Sequence, residues 1–289
     1  MKLAKSIIET LKTEYNLTMT AARSLSGGSI NRAYRISTNR GEFFLKLNPT
    51  APAGFFEMEA EGLRLLKSAG SGLRIPEVIA VEGSDGARPA FLLMEFIETG
   101  SPGNSFAFGE KLAHLHMYGA DSFGLDHDNY IGSLPQSNRR HSDWITFFHE
   151  ERILPQLRMG VESGRFSSTI LAQWDRLAAR LHQRIPPSAP SLIHGDLWGG
   201  NYLFDSTGNA VLIDPAVYFG HPEMDLAFTK MFGGFSNEFY MGYESVTPLE
   251  PGFHERVSLH NLYPLLVHAN LFGGHYIQTV MGVIMQDGL

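Results

Sequence analysis

The sequence contains no cysteine among its 289 residues. A disulfide framework, a thiolate nucleophile and a sulfur-ligated zinc site are therefore excluded. Charge is modest, with 30 acidic and 23 basic residues and a formal net charge of −7. This balance disfavours nonspecific binding to nucleic acid or to anionic lipid. Because a chain without cysteine suits a reducing compartment, we expect a cytoplasmic protein.

Long apolar runs are also scarce. The N-terminal stretch MKLAKSIIETLKTEYNL has neither the apolar block nor the small-residue cleavage site of a signal peptide. The long uncharged stretch at 262–284 contains two histidines, Asn270 and Gln278, which favours a buried, functional C-terminal helix over a membrane span. We therefore expect no membrane partner.

Turn residues and apolar periodicity divide the chain into two parts near residue 98. The first part, 1–98, is predicted to be a mostly antiparallel sheet with one inserted helix at about 54–69 and an amphipathic helix over 1–17. The stretch ETGSPGNSFAFG predicts a linker. The second part, 99–289, is predicted to be mainly helical, with a long loop at 119–143. The fold class is therefore α+β.

The stretch LIHGDLWGGN places Asp196 and Asn201 five positions apart in a glycine-broken loop, and AVLIDPA ends an apolar strand at Asp214. An isolated loop aspartate is usually a turn former. The joint spacing, however, matches the catalytic and metal-binding residues of protein kinases. Asn201 and Asp214 offer the oxygen ligands that magnesium prefers, and Asp196 suits the acceptance of a proton from an attacking alcohol. The sequence thus predicts phosphoryl transfer with ATP and Mg²⁺.

Further elements of a nucleotide site lie in the first part. The stretch SGGSINRAY predicts a phosphate-facing turn, formed by Gly27, Gly28, Ser29, Ile30 and Asn31, although paired glycines also make plain turns. Lys46 lies in the apolar stretch FFLKLN. A lysine in a buried strand needs a partner or a ligand; the alternative is a lysine that reaches solvent from an edge strand.

Helical geometry selects the partner of Lys46. In FFEMEAEGLRLL, four apolar residues lie within about 60° of Glu59, namely Phe55, Phe56, Leu63 and Leu66, whereas Glu57 and Glu61 lie about 160° away. We therefore predict a Lys46–Glu59 ion pair and a solvated face for the other two glutamates. In LLMEFIE, the carbonyl of Glu95 and the amide of Ile97 are predicted to contact adenine, with Met94 behind them; ordinary core packing is the alternative.

Together these motifs resemble the fructosamine/ketosamine kinase family, a branch of the protein-kinase-like fold shared with the aminoglycoside phosphotransferases. The resemblance covers essentially the whole chain, up to the terminal YPLLVHANLFGG, and is most specific in GSLPQSN and HGDLWGGN. It implies a bilobal fold with a nucleotide-binding N-lobe over 1–98 and a catalytic, acceptor-binding C-lobe over 99–289. It also implies ATP-dependent phosphorylation of the 3-hydroxyl of a ketosamine such as a fructosamine or ribulosamine, which repairs glycated amines.

The resemblance assigns roles residue by residue: the base to Asp196, the metal positions to Asn201 and Asp214, and the ion pair to Lys46 and Glu59. It places Trp198 and His268 in the acceptor pocket. For Trp198 the alternative is core packing, and for His268 it is a satisfied buried histidine. Asp225 resembles the acid that braces the catalytic loop. Many relatives carry a cysteine where this chain has Ser29, so a thiol switch built on that position is not expected here.

Other functions remain as alternatives. A kinase of the aminoglycoside or choline type shares the predicted fold, but the segments 119–143 and 253–289 are not strongly acidic, which argues against a polycationic acceptor. A non-catalytic nucleotide-binding protein is disfavoured because the predicted catalytic set is complete. A hydrolase is disfavoured because no Gly-x-Ser-x-Gly motif occurs, and a zinc enzyme because no His-Glu-x-x-His motif occurs.

Overall fold

The structure is a computed structural model that describes residues 3–25, 30–84 and 88–287. The chain forms two compact units. The first comprises Met1–Gly103 and Leu203–Asp214, and the second comprises Asn104–Tyr202 and Pro215–Leu289. The first unit is therefore built from two separate stretches of chain.

Up to residue 103, the elements are α1 (Lys5–Thr13), β1 (Met19–Leu25), β2 (Arg32–Thr38), β3 (Gly41–Asn48), α2 (Phe55–Ser68), β4 (Val78–Glu82) and β5 (Ala90–Glu95). Up to residue 193 follow α3 (Ser105–His116), β6 (Asn129–Ile131), β7 (Leu134–Gln136), α4 (Trp144–Phe147), a π-helix (Phe148–Ile153), α5 (Leu154–Glu162), α6 (Thr169–Ala178), α7 (Leu181–Arg184) and β8 (Ser191–Ile193). The rest of the chain contains β9 (Tyr202–Phe204), β10 (Ala210–Leu212), β11 (Tyr218–Gly220), α8 (Glu223–Met231), α9 (Asn237–Val246), α10 (Phe253–His260), α11 (Leu262–Phe272) and α12 (His275–Asp287).

The first unit is organised around a five-stranded antiparallel sheet with the order β1-β2-β3-β5-β4. Alternate residues of a strand face opposite sides, so Leu45 and Leu47 of β3 point one way and pack in a core with Ile7 and Leu11 of α1. Lys46 points to the other side. The predicted helix over 1–17 is shorter than expected, and β1 was not predicted because most of its side chains are exposed and lack apolar alternation.

The segment 203–214 joins the first unit through backbone hydrogen bonds. The amide of Arg74 donates to Ala210 O at 3.2 Å, and the amide of Leu212 donates to Arg74 O at 3.0 Å. The amide of Gly100 donates to Phe204 O at 2.8 Å. These bonds fix the hairpin of β9 and β10, which leads directly to Asp214.

The second unit is mainly helical, and its core is rich in aromatic side chains, including Phe147, Phe148 and Trp174. Helices α3 and α9 approach closely at two glycines. A Cβ atom on Gly109 would lie 1.9 Å from Phe239 O, and one on Gly242 would lie 2.0 Å from Phe106 O. Only glycine allows this contact.

Two expectations for the second unit are corrected. The stretch 262–284 forms two helices, α11 and α12, because Gly273 and Gly274 between them have φ values of 66° and 64°, which L-residues rarely adopt. The predicted linker ends earlier than expected, since the side chain of Asn104 caps α3 by accepting from the Ala107 amide at 2.9 Å. No helix in the described part of the chain combines the length and apolar character needed to cross a bilayer.

Candidate active site

Lys46 is the buried centre of a charge cluster in the first unit, in which the Asp214 side chain is 43% exposed. Its strand, β3, has neighbours on both sides, so the alternative of an edge-strand lysine is wrong. The side chain is held by two carboxylates, with Nζ 2.5 Å from Glu59 Oε1 and 2.6 Å from Asp214 Oδ1. Lys46 is only 4% exposed. The structure therefore brings together the predicted ion pair and one predicted metal ligand.

The two carboxylates keep the lysine charged. Burial lowers the pKa of Lys46, but the negative charges of Asp214 and Glu59 outweigh burial, and the pKa is raised overall. Lys46 is therefore an ammonium group at neutral pH, held between two carboxylates, while burial raises the pKa of Glu59. Such a cluster is suited to bind a phosphate together with a divalent cation.

Asp214 has a backbone conformation that few residues adopt. Its φ is 55°, in the left-handed region where Asp and Asn are enriched among non-glycine residues. Asp214 comes two positions after the end of β10, and its carboxylate accepts a hydrogen bond from Lys46. The position therefore depends on backbone conformation as well as on charge.

The other two glutamates of α2, Glu57 and Glu61, differ in their exposure to solvent. Glu61 is exposed, as expected. Glu57 is only partly exposed, and its Oε2 is buried without a hydrogen-bond partner among the described residues. The turn at Gly83 covers it, since a Cβ there would lie 2.8 Å from Glu57 Oε1. The predicted solvated face is therefore correct for Glu61 only.

The predicted adenine segment lies at the end of β5. Lys46 pairs with Leu92, and Met94 lies two residues further along, so Met94 shares the sheet face of Lys46. Met94 and Ile97 are buried, whereas the Glu95 carboxylate accepts a hydrogen bond from Arg74 at 2.5 Å. The contacts of this segment with a nucleotide remain a prediction.

The predicted glycine-rich turn is only partly described. Gly27, Gly28 and Ser29 lie outside the described residues. Ile30 is exposed, and Asn31 Oδ1 accepts a hydrogen bond from Asn48 Nδ2 at 3.0 Å. Their predicted role in phosphate binding stays a prediction.

In the second unit, the loop that contains Asp196, predicted to be catalytic, is held in place by Asp225. This carboxylate is 1% exposed and accepts hydrogen bonds from the amides of His194 at 2.7 Å and Gly195 at 2.9 Å. Gly195 has a φ of 80°, and a Cβ there would lie 2.1 Å from Ala216 O. The histidine of the motif is fully buried, and its Nδ1 accepts from the Asp196 amide at 3.3 Å. The brace therefore fixes the backbone just before Asp196.

Two further residues, for which no role at the site was predicted, contact Asp225 directly or through one another. His116 Nε2 lies 3.2 Å from Asp225 Oδ2, and the Tyr243 hydroxyl lies 2.9 Å from His116 Nδ1. The two residues are buried on α3 and α9. LAHLH contains two histidines, and the buried one, His116, was the available signal, because a buried polar side chain needs a partner.

Asn201 orients Asp196. Its Nδ2 donates to Asp196 Oδ2 at 2.7 Å and to the Asp196 carbonyl at 2.8 Å. Because the amide nitrogen is directed at Asp196, the remaining oxygen of Asn201 is the atom that could bind a cation. The role of Asn201 as a metal ligand stays a prediction.

The GSLPQSN segment supports the same region of the second unit. Gln136 Nε2 donates to Ala216 O at 3.1 Å, and Gln136 Oε1 accepts from the Tyr263 hydroxyl at 2.7 Å. The carbonyl of Ala216 is the one that crowds Gly195. This segment is one of the motifs that carry the family resemblance, and no contact was predicted for it.

A buried arginine of the π-helix holds the end of that segment. Arg152 donates to Ser137 O at 2.5 Å and to Asn138 Oδ1 at 2.7 Å. Its guanidinium also lies 3.8 Å from the ring centroid of Tyr218, a cation–π contact. The π-helix, a rare conformation that often marks functional regions, thereby directs a cation onto the loop.

Trp198 and His268, the predicted acceptor residues, belong to one aromatic cluster. Trp198 is 37% exposed, so core packing is the wrong interpretation for it. Its ring lies over Gly200, where a Cβ would be 2.2 Å from Cη2, and its centroid is 5.8 Å from that of Phe232. The Phe232 centroid is in turn 5.2 Å from that of His268.

His268 is partly buried and neutral. Its Nδ1 donates to Pro264 O at 2.7 Å, which leaves Nε2 as the acceptor nitrogen. Burial lowers the pKa of His268, so the ring carries no charge at neutral pH. It can accept a hydrogen bond from a hydroxyl group.

Each unit therefore contains an ordered set of functional groups. The first contains a charged lysine between two carboxylates, and the second contains an aspartate oriented by an asparagine on a braced loop. These are the components that phosphoryl transfer uses to position phosphates and an attacking alcohol. Fold and site together define a phosphotransferase of the kinase-like class.

Comparison with known proteins supports this class and also identifies the family. The sequence matches the fructosamine kinase family over residues 1–287, and the chain belongs to that family. It is 42% identical over 280 residues to a probable ketoamine kinase of Vibrio parahaemolyticus, covering 96% of this chain and 94% of that protein. The crystal structure of a candidate fructosamine-3-kinase from Thermobifida fusca is similar over 99% of both chains, with a TM-score of 0.87 and 34% identity.

The fold extends beyond the family. The aminoglycoside phosphotransferase APH(4)-Ia, in a complex with AMP-PNP and hygromycin B, is similar with a TM-score of 0.62 over 98% of both chains. Its sequence identity is 17%, so the likeness concerns the fold alone. The chain has an α+β kinase-like fold with an N-terminal five-stranded antiparallel sheet and a helical C-terminal region, as the sequence predicted.

Proposed function

We propose that this protein is an ATP-dependent ketosamine 3-kinase, which transfers the γ-phosphoryl group of ATP to the 3-hydroxyl of a sugar attached to an amine. The strongest support is the Asp196–Asn201 loop, whose carboxylate is oriented by two hydrogen bonds from one amide nitrogen. Family membership supports the acceptor class.

In the proposed reaction, Asp196 accepts the proton of the attacking hydroxyl while the oxygen forms a bond to the γ-phosphorus. The bond from that phosphorus to the bridging oxygen breaks, and ADP leaves. Lys46, held by Glu59, binds the α- and β-phosphates of ATP. Met94, Glu95 and Ile97 contact the adenine. The products are ADP and a ketosamine 3-phosphate, which sheds its sugar and so repairs the amine.

Asn201 and Asp214 are the proposed Mg²⁺ ligands. One carboxylate and one amide oxygen are hard oxygen donors of the kind that Mg²⁺ prefers, with phosphates and water completing its coordination. The orientation of Asn201 fits this role because its nitrogen is directed at Asp196. When bound, the ion neutralises phosphate charge. Asp214 Oδ1 lies 2.6 Å from Lys46 Nζ, and the positive charge of the ammonium group balances the carboxylate.

Trp198 and His268 are the proposed acceptor contacts. The exposed indole offers a flat apolar face for the sugar, and the unprotonated Nε2 of His268 offers an acceptor for a hydroxyl. Neither contact requires a charged acceptor, in contrast to the recognition of a polycationic antibiotic by acidic side chains.

A coupled assay of ADP release with four acceptors tests this function: ribuloselysine, fructoselysine, kanamycin and choline. We expect turnover with one or both ketosamines and background rates with the other two. Phosphorus NMR of the product should show a phosphate ester on C3. Turnover with kanamycin or choline alone would assign the protein to another acceptor class, and no ADP release with any acceptor would contradict the proposal.

A further inference from the structure

A buried network of hydrogen bonds joins the GSLPQSN segment to the π-helix and to α11. We call Asn129, Gln136, Asn138, Arg152 and Tyr263 the amide network, and each of these residues is at most 5% exposed. Asn129 Oδ1 accepts from Gln136 Nε2 at 2.7 Å and from Asn138 Nδ2 at 2.9 Å. Arg152 donates to the oxygen of Asn138, and Tyr263 donates to the oxygen of Gln136. The three amides are therefore connected to one another and to two helices.

Every side-chain polar atom of the three amides has a partner. Asn129 Nδ2 donates to Val217 O at 2.8 Å. Because Gln136 Oε1 accepts from the Tyr263 hydroxyl, Nε2 is the end of the amide that donates to Ala216 O. Burial raises the pKa of Tyr263, so the hydroxyl keeps the proton that it donates. A buried network with all its polar groups paired specifies a single arrangement.

The network ends on backbone that packs against the loop of the proposed base. Ala216 accepts from Gln136 at its carbonyl, and its amide donates to His194 O at 2.9 Å. A Cβ atom on Gly195 would lie 2.1 Å from the same carbonyl oxygen. A shift of Ala216 would therefore move the two residues that precede Asp196.

Two consecutive residues of the π-helix hold the segment that carries Gln136. Arg152 donates to Ser137 O, and Glu151 Oε2 accepts from Ser137 Oγ at 2.5 Å. Arg139 also donates to the Glu151 carboxylate, at 2.9 Å. These bonds reach Ser137 through both its backbone and its side chain, so the residue next to Gln136 is anchored to the helix.

We propose that Gln136 and Tyr263 are positioning residues for Asp196, and that they act through the carbonyl of Ala216. This inference rests on the proposed role of Asp196 as the base. Gln136 and Tyr263 are 1% and 2% exposed, so neither is placed to contact a substrate. Their effect is on alignment, because a displacement of about 1 Å at a reacting group can reduce a rate about a hundredfold.

Tyr263→Phe tests this role by removing one hydroxyl group and keeping the ring. Gln136 Oε1 would lack its donor, and we expect kcat to fall about tenfold. The KM for ATP should not change, because none of the proposed ATP contacts belongs to the network. Tyr240→Phe is the matched control: it removes a hydroxyl 2.9 Å from Thr229 Oγ1 and should keep the wild-type kcat. A wild-type kcat for Tyr263→Phe would overturn the inference.

A second background distinguishes positioning from a general loss of structure. In Asp196→Asn the base is already absent, so adding Tyr263→Phe should change the residual kcat by less than about twofold. Steady-state kinetics of the two single variants and the double variant measure this coupling. An equal loss of kcat from Tyr263→Phe in both backgrounds would show that Tyr263 does not act through Asp196, and would contradict the proposal.

Hydrogen exchange tests the network without a substrate, and so independently of the proposed function. The amides of His194 and Gly195 donate to Asp225 and should exchange slowly in the wild type. In Tyr263→Phe, we expect peptides that cover 192–201 to exchange up to about tenfold faster, as the loss of one buried hydrogen bond allows. Tyr240→Phe should exchange at the wild-type rate. Unchanged exchange in Tyr263→Phe would refute the positioning role, whether or not the protein phosphorylates a ketosamine.

Discussion

At the scale of single residues, the proposed base is defined by its neighbours. The backbone before Asp196 is held by Asp225, and its carboxylate is held by Asn201. Because these contacts hold residue 196 in place, a substitution there can remove the carboxylate without moving the side chain. Substitution by the isosteric amide therefore separates proton acceptance from folding.

For Asp196→Asn, we expect kcat to fall by about 10²- to 10⁴-fold, the usual contribution of a general base. The KM for ATP should change little, because no role in ATP binding is proposed for this carboxylate. Asp126→Asn, which removes an exposed partner of Arg140, is the control and should keep the wild-type kcat. Steady-state kinetics measure both effects, and a near wild-type kcat for Asp196→Asn would exclude it as the base.

The ion pair of Lys46 can be tested on a single helix. Glu59→Gln removes one of the two carboxylates that hold the ammonium group, so phosphate positioning should weaken and the KM for ATP should rise about tenfold. Glu61→Gln changes an exposed glutamate on the same helix and should leave the KM unchanged. If the two variants had equal ATP kinetics, the role of Glu59 in nucleotide binding would be wrong.

At the scale of elements, periodicity predicted α2 and its inward-facing Glu59, because an amphipathic helix repeats every 3.6 residues. The antiparallel sheet was also predicted from apolar runs and turns. Contacts between residues that are distant in the sequence were not predicted. Gln136 bonds to Tyr263 across 127 positions and to Ala216 across 80. No local pattern in GSLPQSN identifies these partners, since hydrogen bonds of this kind depend on the folded chain.

The close approach of α3 and α9 provides a stability test. Gly109→Ala would place a methyl group against Phe239 O, and we expect it to lower the free energy of unfolding by roughly 1–3 kcal/mol or more, as overpacking does. Gly282→Ala, in α12 with nothing within 4 Å of its Cβ position, should instead raise it by up to about 1 kcal/mol. Denaturant unfolding would measure both values, and equal effects would contradict the proposed contact.

At the scale of the whole molecule, stability should depend on pH through a buried histidine. His221 Nδ1 accepts from the Glu223 amide at 3.1 Å, and its Nε2 donates to Pro186 O at 3.3 Å. Protonation would remove the acceptor. Burial, with a further contribution from His260, lowers the pKa of His221 from 6.5 to about 3. The neutral ring is therefore the form that the fold requires.

Because the folded-state pKa lies below the unfolded one, this contribution is complete above about pH 6.5 and is lost progressively as the pH falls towards 3. The expected slope approaches about 1.4 kcal/mol per pH unit. His221→Asn should show a smaller loss of unfolding free energy than the wild type between pH 7.5 and 5.5. That window lies above the range in which Glu223 titrates, since Arg256 and His260 outweigh burial and lower the Glu223 pKa to about 2. Parallel pH profiles for the two proteins would contradict this role.

The return of Leu203–Asp214 to the first unit has a consequence for dissecting the protein. A fragment that stops at residue 103 would lack the strand whose backbone pairs with Arg74, along with Asp214, one of the two carboxylates that contact Lys46. Severing the polypeptide once, by a protease or at a genetic split point, would therefore not release a complete N-terminal module. Reconstitution would require the missing twelve-residue piece to be supplied, either as a fused extension or as a separate peptide.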